Sequence, residues 1–246
     1  MCGRYVSSSP PDEIARYFDA EPPGEAELEP NWNVAPTADV YVVLVDGGVR
    51  RLESLHWGLV PFWATSPAIG NRMINARAEG LADKNAFKRA FRKRRCIVPA
   101  DGFYEWQKVP GQKAKQPYFI ERRDHEPLAF AGLWEEWRGP DRDGAERLRS
   151  TTIITTEANE TMAPVHDRMP VLLPARAWEA WLDPDNADLE TLGRLLVPAP
   201  KQLLTMHPVA TDVGNVRNQG PHLIDPVDPA APPPTLADDA AGPDSA

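Results

Sequence analysis

Apolar positions along this 246-residue chain fall in short runs with two different spacings. The run Val40 to Val45, the turn residues Asp46-Gly47-Gly48 and the alternation up to Trp57 predict a β-hairpin. "CIVPADGFYEWQ" reads as two short strands around Asp101-Gly102. "PYFIERR", "PLAFAGLWEEW", "LRSTTIITTEA" and "LLTMH" read as further strands. The helical spacing is rarer. Ile14, Tyr17 and Phe18 share one face behind Ser9-Pro10-Pro11-Asp12, which predicts a helix with Ser9 as N-cap and proline in its first turn. Phe87, Ala90 and Phe91 stripe a second helix, Trp178, Trp181 and Leu182 a third, and residues 188–196 a short fourth. "PNWNVAPT" reads as a proline-punctuated loop, and "LVPFWATSPAIGNRMINARAE" as a long one of the kind that carries function. Strands follow strands without regular helical crossovers. The pattern therefore predicts one α+β domain, mostly antiparallel.

Composition removes several classes. No apolar run approaches the roughly 20 residues of a membrane span, and the N-terminus has no apolar signal region. Two cysteines, Cys2 and Cys96, cannot make a disulfide framework, so a reducing, cytosolic compartment is expected. The five histidines are scattered, and neither CxxC nor HExxH occurs. There is no phosphate-cradling glycine loop and no GxSxG. The net charge of −9 argues at first against nucleic acid, but five aspartates from Asp225 onward, with no base among them, supply more than half of it. Glu21, Glu25, Glu27 and Glu29 make another acidic run. Against these stand seven basic residues between Lys84 and Arg95, which read either as a solvated helix face or as a basic surface.

Four residues stand out as chemistry. Met1 precedes a small side chain and is of the kind removed after synthesis, which would leave Cys2 with a free α-amine beside its thiol. That amine titrates near about 7.7–8.0, against about 10.4 for lysine, so a useful fraction is nucleophilic at neutral pH. An amine condenses with an aldehyde to an imine, and a neighbouring thiol then closes a thiazolidine ring. The plain alternative is an incidental second residue. Glu105, in "GFYEWQ", has aromatic neighbours that would desolvate its carboxyl for proton transfer, unless it simply faces water. His166, in "APVHDRMP", suits acid–base work or a structural role. Asn75, in "MINARAE", can orient an intermediate by hydrogen bonds.

Seven stretches occur in order: "MCGRY", "NVAPT", "HWGLVPFW", "INARAE", "RRCIVPADGFYEW", "HDRMPVLL" and "VGNVRNQG". Together they resemble the SRAP (SOS-response-associated peptidase) family over residues 2–226, leaving 227–246 as an acidic, proline-rich tail expected to be disordered. The resemblance implies a barrel-like SRAP domain with a few peripheral helices. It also implies recognition of abasic sites in single-stranded DNA during the damage response, and a covalent crosslink by lyase-like imine chemistry. Carried over by motif, Cys2 is the crosslinking residue, Asn75 holds the intermediate, Glu105 moves protons and His166 assists sugar-ring opening. Arg4, Arg77 and Arg168 would meet phosphates, and Asn33, Pro36, Trp63, Trp106 and Asn218 would line the DNA groove. The peptidase in the family name fits self-removal of the residue before Cys2. One departure touches base wedging: Trp63 is followed by Ala64, where relatives can carry a second aromatic. No cofactor, metal or membrane is implied, and a cytoplasmic monomer is expected, at the nucleoid when on DNA. Two alternatives remain: a cysteine peptidase acting on other proteins with Cys2 and His166, and a non-covalent reader of modified cytosine.

Overall fold

The computed structural model describes residues 2–24, 27–111, 113–139 and 147–228. In chain order the elements are β1 (Tyr5–Ser7), α1 (Pro11–Tyr17), β2 (Asn31–Val34), β3 (Asp39–Asp46), β4 (Val49–Trp57), β5 (Asn75–Arg77), α2 (Lys88–Lys93) and β6 (Arg95–Ala100). Then come β7 (Gly102–Gln107), β8 (Gln116–Arg122), β9 (Leu128–Trp137), β10 (Leu148–Glu157), β11 (Arg168–Pro170), α3 (Trp178–Leu182), α4 (Leu189–Arg194) and β12 (Leu204–Pro208). The hairpin is tighter than its sequence suggests. Asp46 still belongs to β3, and Gly47 and Gly48, both at positive φ (60° and 82°), make the two-residue turn.

Five strands close a ring: β3 pairs with β4 and β6, β4 with β10, β10 with β9, and β9 with β6. The closed ring is a barrel without a free edge among these five. All its pairs are antiparallel except β10 with β4. β5 and β11 extend from β10, the first parallel and the second antiparallel. A second sheet has the order β12-β8-β7-β1-β2. Alternation along the barrel strands feeds two cores. Tyr41, Val43, Leu52, Ile97 and Ala131 pack with residues of the helices, including Phe91 and Trp181. Val42, Leu44, Leu55, Val98 and Phe130 pack with Cys2, Tyr5 and Phe103 on the second-sheet side. The mostly antiparallel α+β reading is thus correct in class.

Three local readings need correction. Ser9 does not cap α1: its hydroxyl donates to Asp101 Oδ1 at 2.5 Å, and the N-cap is Pro10, with no side-chain cap bond. Prolines 10 and 11 have no N–H to satisfy, so the first turn needs little capping. "PNWNVAPT" is not all loop, because Asn31–Val34 forms β2 against β1; four residues with two asparagines are too short and too polar to read as a strand. The long segment after Trp57 holds a 3-10 helix, Pro67–Arg72, and then β5.

The basic run divides on folding. Lys84, Lys88, Arg89, Arg92 and Lys93 are exposed, but Arg95 is buried. Its five N–H groups reach the carbonyls of Trp181, Phe91, Arg92, Asp183 and Asn186, fastening the ends of α2 and α3 to the barrel. Arg94 pairs with buried Glu135. At the far end, Val227 N–H donates to Pro208 O at 3.0 Å; the rest of the acidic tail, from residue 229, lies outside the described residues. No helix among the described residues is long and apolar enough to cross a membrane.

Candidate active site and nucleic-acid face

Four strands and one loop converge where the second sheet meets the barrel. Cys2 lies just before β1 and is 0% exposed. β1 runs antiparallel to β7 with Tyr5 opposite Phe103, and Tyr104 N–H donates to Arg4 O, so the chain's start lies back along Glu105. β5 is held beside β10, with Asn75 opposite Ile153. That places Asn75 Nδ2 2.8 Å from Cys2 O, as donor. The other amide atom, Asn75 Oδ1, is buried and has no hydrogen-bond partner among the described residues. His166 comes from the segment joining β10 to β11. A turn built on Met162 O, which accepts from His166 N, shapes this loop, and Gln107 Nε2, at the end of β7, bonds to Pro164 O at 3.0 Å.

The electrostatics ties three of these groups together. Burial pushes the Glu105 carboxyl above its ordinary range, partly offset by positive charges that include His166. Glu105 is 3% exposed, which is why desolvation dominates. Burial also pushes the Cys2 thiol far up, and the Glu105 charge adds to that. The thiol is therefore held as S–H. His166 Nδ1 has two contacts that ask opposite things of it. It accepts from Arg168 N–H at 2.9 Å, which fits a neutral ring with its proton on Nε2. It also lies 2.8 Å from Asp167 Oδ1, which fits a ring with its proton on Nδ1.

Around this cluster the residues expected to meet DNA fall into two groups. Arg4 Nη1 donates to Asn33 Oδ1 (2.7 Å) and Val213 O (2.9 Å), and its guanidinium lies 5.9 Å from the Trp106 ring. Asn33 is buried, and its Nδ2 reaches the carbonyls of Val213, Asn215 and Asn218, so it shapes the Asn218 loop from inside. Pro36 is half-buried after β2, Arg77 is exposed at the end of β5, and Arg168 opens β11. Trp63 sits apart from these. It is 43% exposed and lines a cavity of about 530 Å³ with Phe62, Asn85, Lys88 and Arg89, the last stacked 4.3 Å over Phe62. Ala64 beside it is buried, with its carbonyl accepting from Trp137 Nε1 at 2.7 Å, so position 64 offers no surface for stacking.

Two neighbours escaped the sequence reading, and a third stands next to its partner in the sequence. Glu79 and Thr155 both bond Arg168, and Asp167 faces His166. Glu79 lies in the motif that carries Asn75, and an acid two positions after Arg77 is the only sign of it. Among the described residues no three His, Cys, Asp or Glu side chains gather as metal ligands.

This architecture has relatives. Residues 1–216 match the family model "SOS response associated peptidase (SRAP)". Abasic site processing protein YoqW of Bacillus subtilis is 40% identical over 226 residues, 92% of this chain and 99% of its own. YedK of Escherichia coli, with the same descriptive name, is 33% identical, covering 92% of this chain and all of its own. HMCES of Xenopus tropicalis is 32% identical over 91% of this chain and 78% of its own. Among solved structures, a protein from Bacteroides thetaiotaomicron superposes with a TM-score of 0.81 at 23% identity, covering 92% of this chain and all of that one, a likeness of fold. A matching family model over most of the length, whole-length relatives and a shared fold lead to one conclusion: the chain belongs to the SRAP family and is related to abasic site processing proteins.

Proposed function

We propose that this protein captures abasic sites in single-stranded DNA by forming a thiazolidine between Cys2, once Met1 is gone, and the ring-opened sugar aldehyde. The observation that carries the reading is the clustering of buried Cys2 and Glu105 with half-buried Asn75 and His166, Asn75 bonding Cys2 and Glu105 interacting with both Cys2 and His166, in a chain whose relatives are named for abasic site processing. The sugar hemiacetal must first open, and His166 supplies the proton shuttle that breaks the ring C–O bond. The Cys2 amine then adds to the aldehyde carbon and one water leaves, giving the imine. Glu105, whose carboxyl is pushed above its ordinary range by burial, delivers the proton that the departing hydroxyl needs. In the last step the Cys2 sulfur bonds to the imine carbon while its proton passes to the nitrogen, so no further group is lost. A thiol kept protonated suits this order, because the amine attacks first. Asn75 bonds the Cys2 carbonyl and fixes the terminal residue for both steps.

A thiol peptidase would need its cysteine shifted toward thiolate. Burial and Glu105 push Cys2 the other way, which favours the aldehyde trap over turnover of other proteins. Self-removal of Met1, or its removal by a methionine aminopeptidase, completes the reading. Arg4, Arg77 and Arg168 would meet phosphates, Trp106 and Trp63 would stack bases, and Pro36 and Asn218 would line the groove, with Asn33 holding the Asn218 loop. The protein would act as a monomer in the cytoplasm, at the nucleoid when on DNA.

The test is a denaturing gel of the protein with a single-stranded oligonucleotide carrying one abasic site, beside Cys2→Ala and a form with a permanent N-terminal extension. A heat-stable shifted band in the unextended wild type alone is expected. An equal band from the extended protein would overturn the reading.

A further inference from the structure

Arg168 stands beside the His166 loop, and the fork of its guanidinium is already filled. Nη1 donates to Glu79 Oε1 at 2.6 Å and Nη2 to Glu79 Oε2 at 3.1 Å. This two-pronged geometry is the one by which arginine grips a phosphate. Nη2 spends a second proton on Thr155 O at 2.6 Å, and Nε is buried with no partner among the described residues. The side chain is packed in place, 13% exposed, so it cannot swing out to offer another edge. Glu79, by contrast, is 57% exposed on the short 3-10 turn Ala78–Gly80 and is free to leave. Its carboxyl is held below the ordinary range, chiefly by the Arg168 hydrogen bonds and also by the charges of Arg168 and exposed Arg77. One carboxylate thus faces two of the three arginines on the DNA side of the site. Arg4 differs: its acceptors are carbonyls and an amide.

We infer that Glu79 is an internal phosphate mimic that competes with the DNA backbone for Arg168 and so keeps the affinity for undamaged single strands low. A phosphate can take the Arg168 fork only when the Glu79 carboxylate swings away. Passing undamaged DNA then gains little from this arginine. A strand held in place by a covalent bond at Cys2 has time to complete the exchange. The inference rests on the DNA reading above and names a specificity-determining residue within it.

The test measures binding of wild type, Glu79→Gln, Arg168→Ala and the double variant to an undamaged single-stranded oligonucleotide across a salt series. Glu79→Gln keeps the size and polarity of an exposed side chain, and a melting curve of each variant checks that it is folded. Glu79→Gln should bind about 1.5- to 5-fold tighter, the range set by freeing one solvent-exposed ion pair. Its log–log salt slope should steepen by about the share of one phosphate. In the Arg168→Ala background the gain should fall to less than half, because nothing remains to compete for. Equal or weaker binding by Glu79→Gln would overturn the inference, and so would a gain that survives Arg168→Ala at more than half its size. If wild type crosslinks abasic DNA yet shows one of these outcomes, only the role of Glu79 fails. If wild type neither binds nor crosslinks, the DNA reading itself fails.

Discussion

Arg95 and the Cys2 pocket both bury polar chemistry, and they do it in opposite ways. Arg95 is a buried cation with all five N–H groups spent on backbone carbonyls from α2, α3 and the segment after α3. The cluster around Cys2 differs: Asn75 Oδ1 has no hydrogen-bond partner among the described residues, and burial pushes the Glu105 carboxyl above its ordinary range. Buried polar atoms are nearly always satisfied, and the exceptions need a reason. Around Trp134 the reason is ionic, because the Arg94 and Arg149 groups without hydrogen bonds lie in ion pairs with Glu135, Glu53 and Asp46. At Asn75 there is no such substitute among the described residues. The Arg95 centre closes on itself, whereas Asn75 keeps an acceptor that the proposed adduct would use.

The contrast can be broken from either side. The largest effect should come from Arg95→Met, which leaves five carbonyls without their donor and should cost about 3–5 kcal/mol in denaturant unfolding. The folded fraction should trap an aldehyde at the wild-type rate, and a folded but inactive variant would erase the distinction. Asn75→Ala should do the reverse. Stability should change by about 1 kcal/mol or less, because its amide makes one hydrogen bond among the described residues. Adduct formation should slow by about 10- to 100-fold, measured by single-turnover kinetics, because the terminal residue is no longer fixed. The smallest effect is a pH dependence. Glu105 binds its proton more tightly folded than unfolded, so its contribution is favourable below its ordinary value of 4.5 and is lost as pH rises through the raised folded value. Glu105→Gln should therefore melt higher than wild type at neutral pH, with the difference fading below about pH 4.5. A difference that grows on acidification would contradict the burial argument.

Much of the fold was legible because strands such as β3, β9 and β10 are long and strongly patterned. β1, β2, β5 and β11 were not, since each has only three or four residues and is held by its partner strands rather than by its own pattern. The closure of the ring by β10 against β4, with Ser150 opposite His56, is a long-range pairing that no local window reveals. Cys2, Asn75, Glu105 and His166 were visible as motif residues, but that Asn75 touches Cys2 depends on β5 running beside β10. Ser9 misled because the carboxylate that takes its hydroxyl, Asp101, is 92 residues away. Arg95 looked like surface charge for the same reason: its carbonyl acceptors on and after α3 come from the far end of the domain.

The most direct test of the central claim is the intact mass of the protein after reaction with an abasic single-stranded oligonucleotide. The account predicts a species equal to the chain without Met1, plus the oligonucleotide, minus one water, that persists without a reducing agent. An adduct that retains Met1, or unmodified masses from protein already lacking Met1, would contradict it.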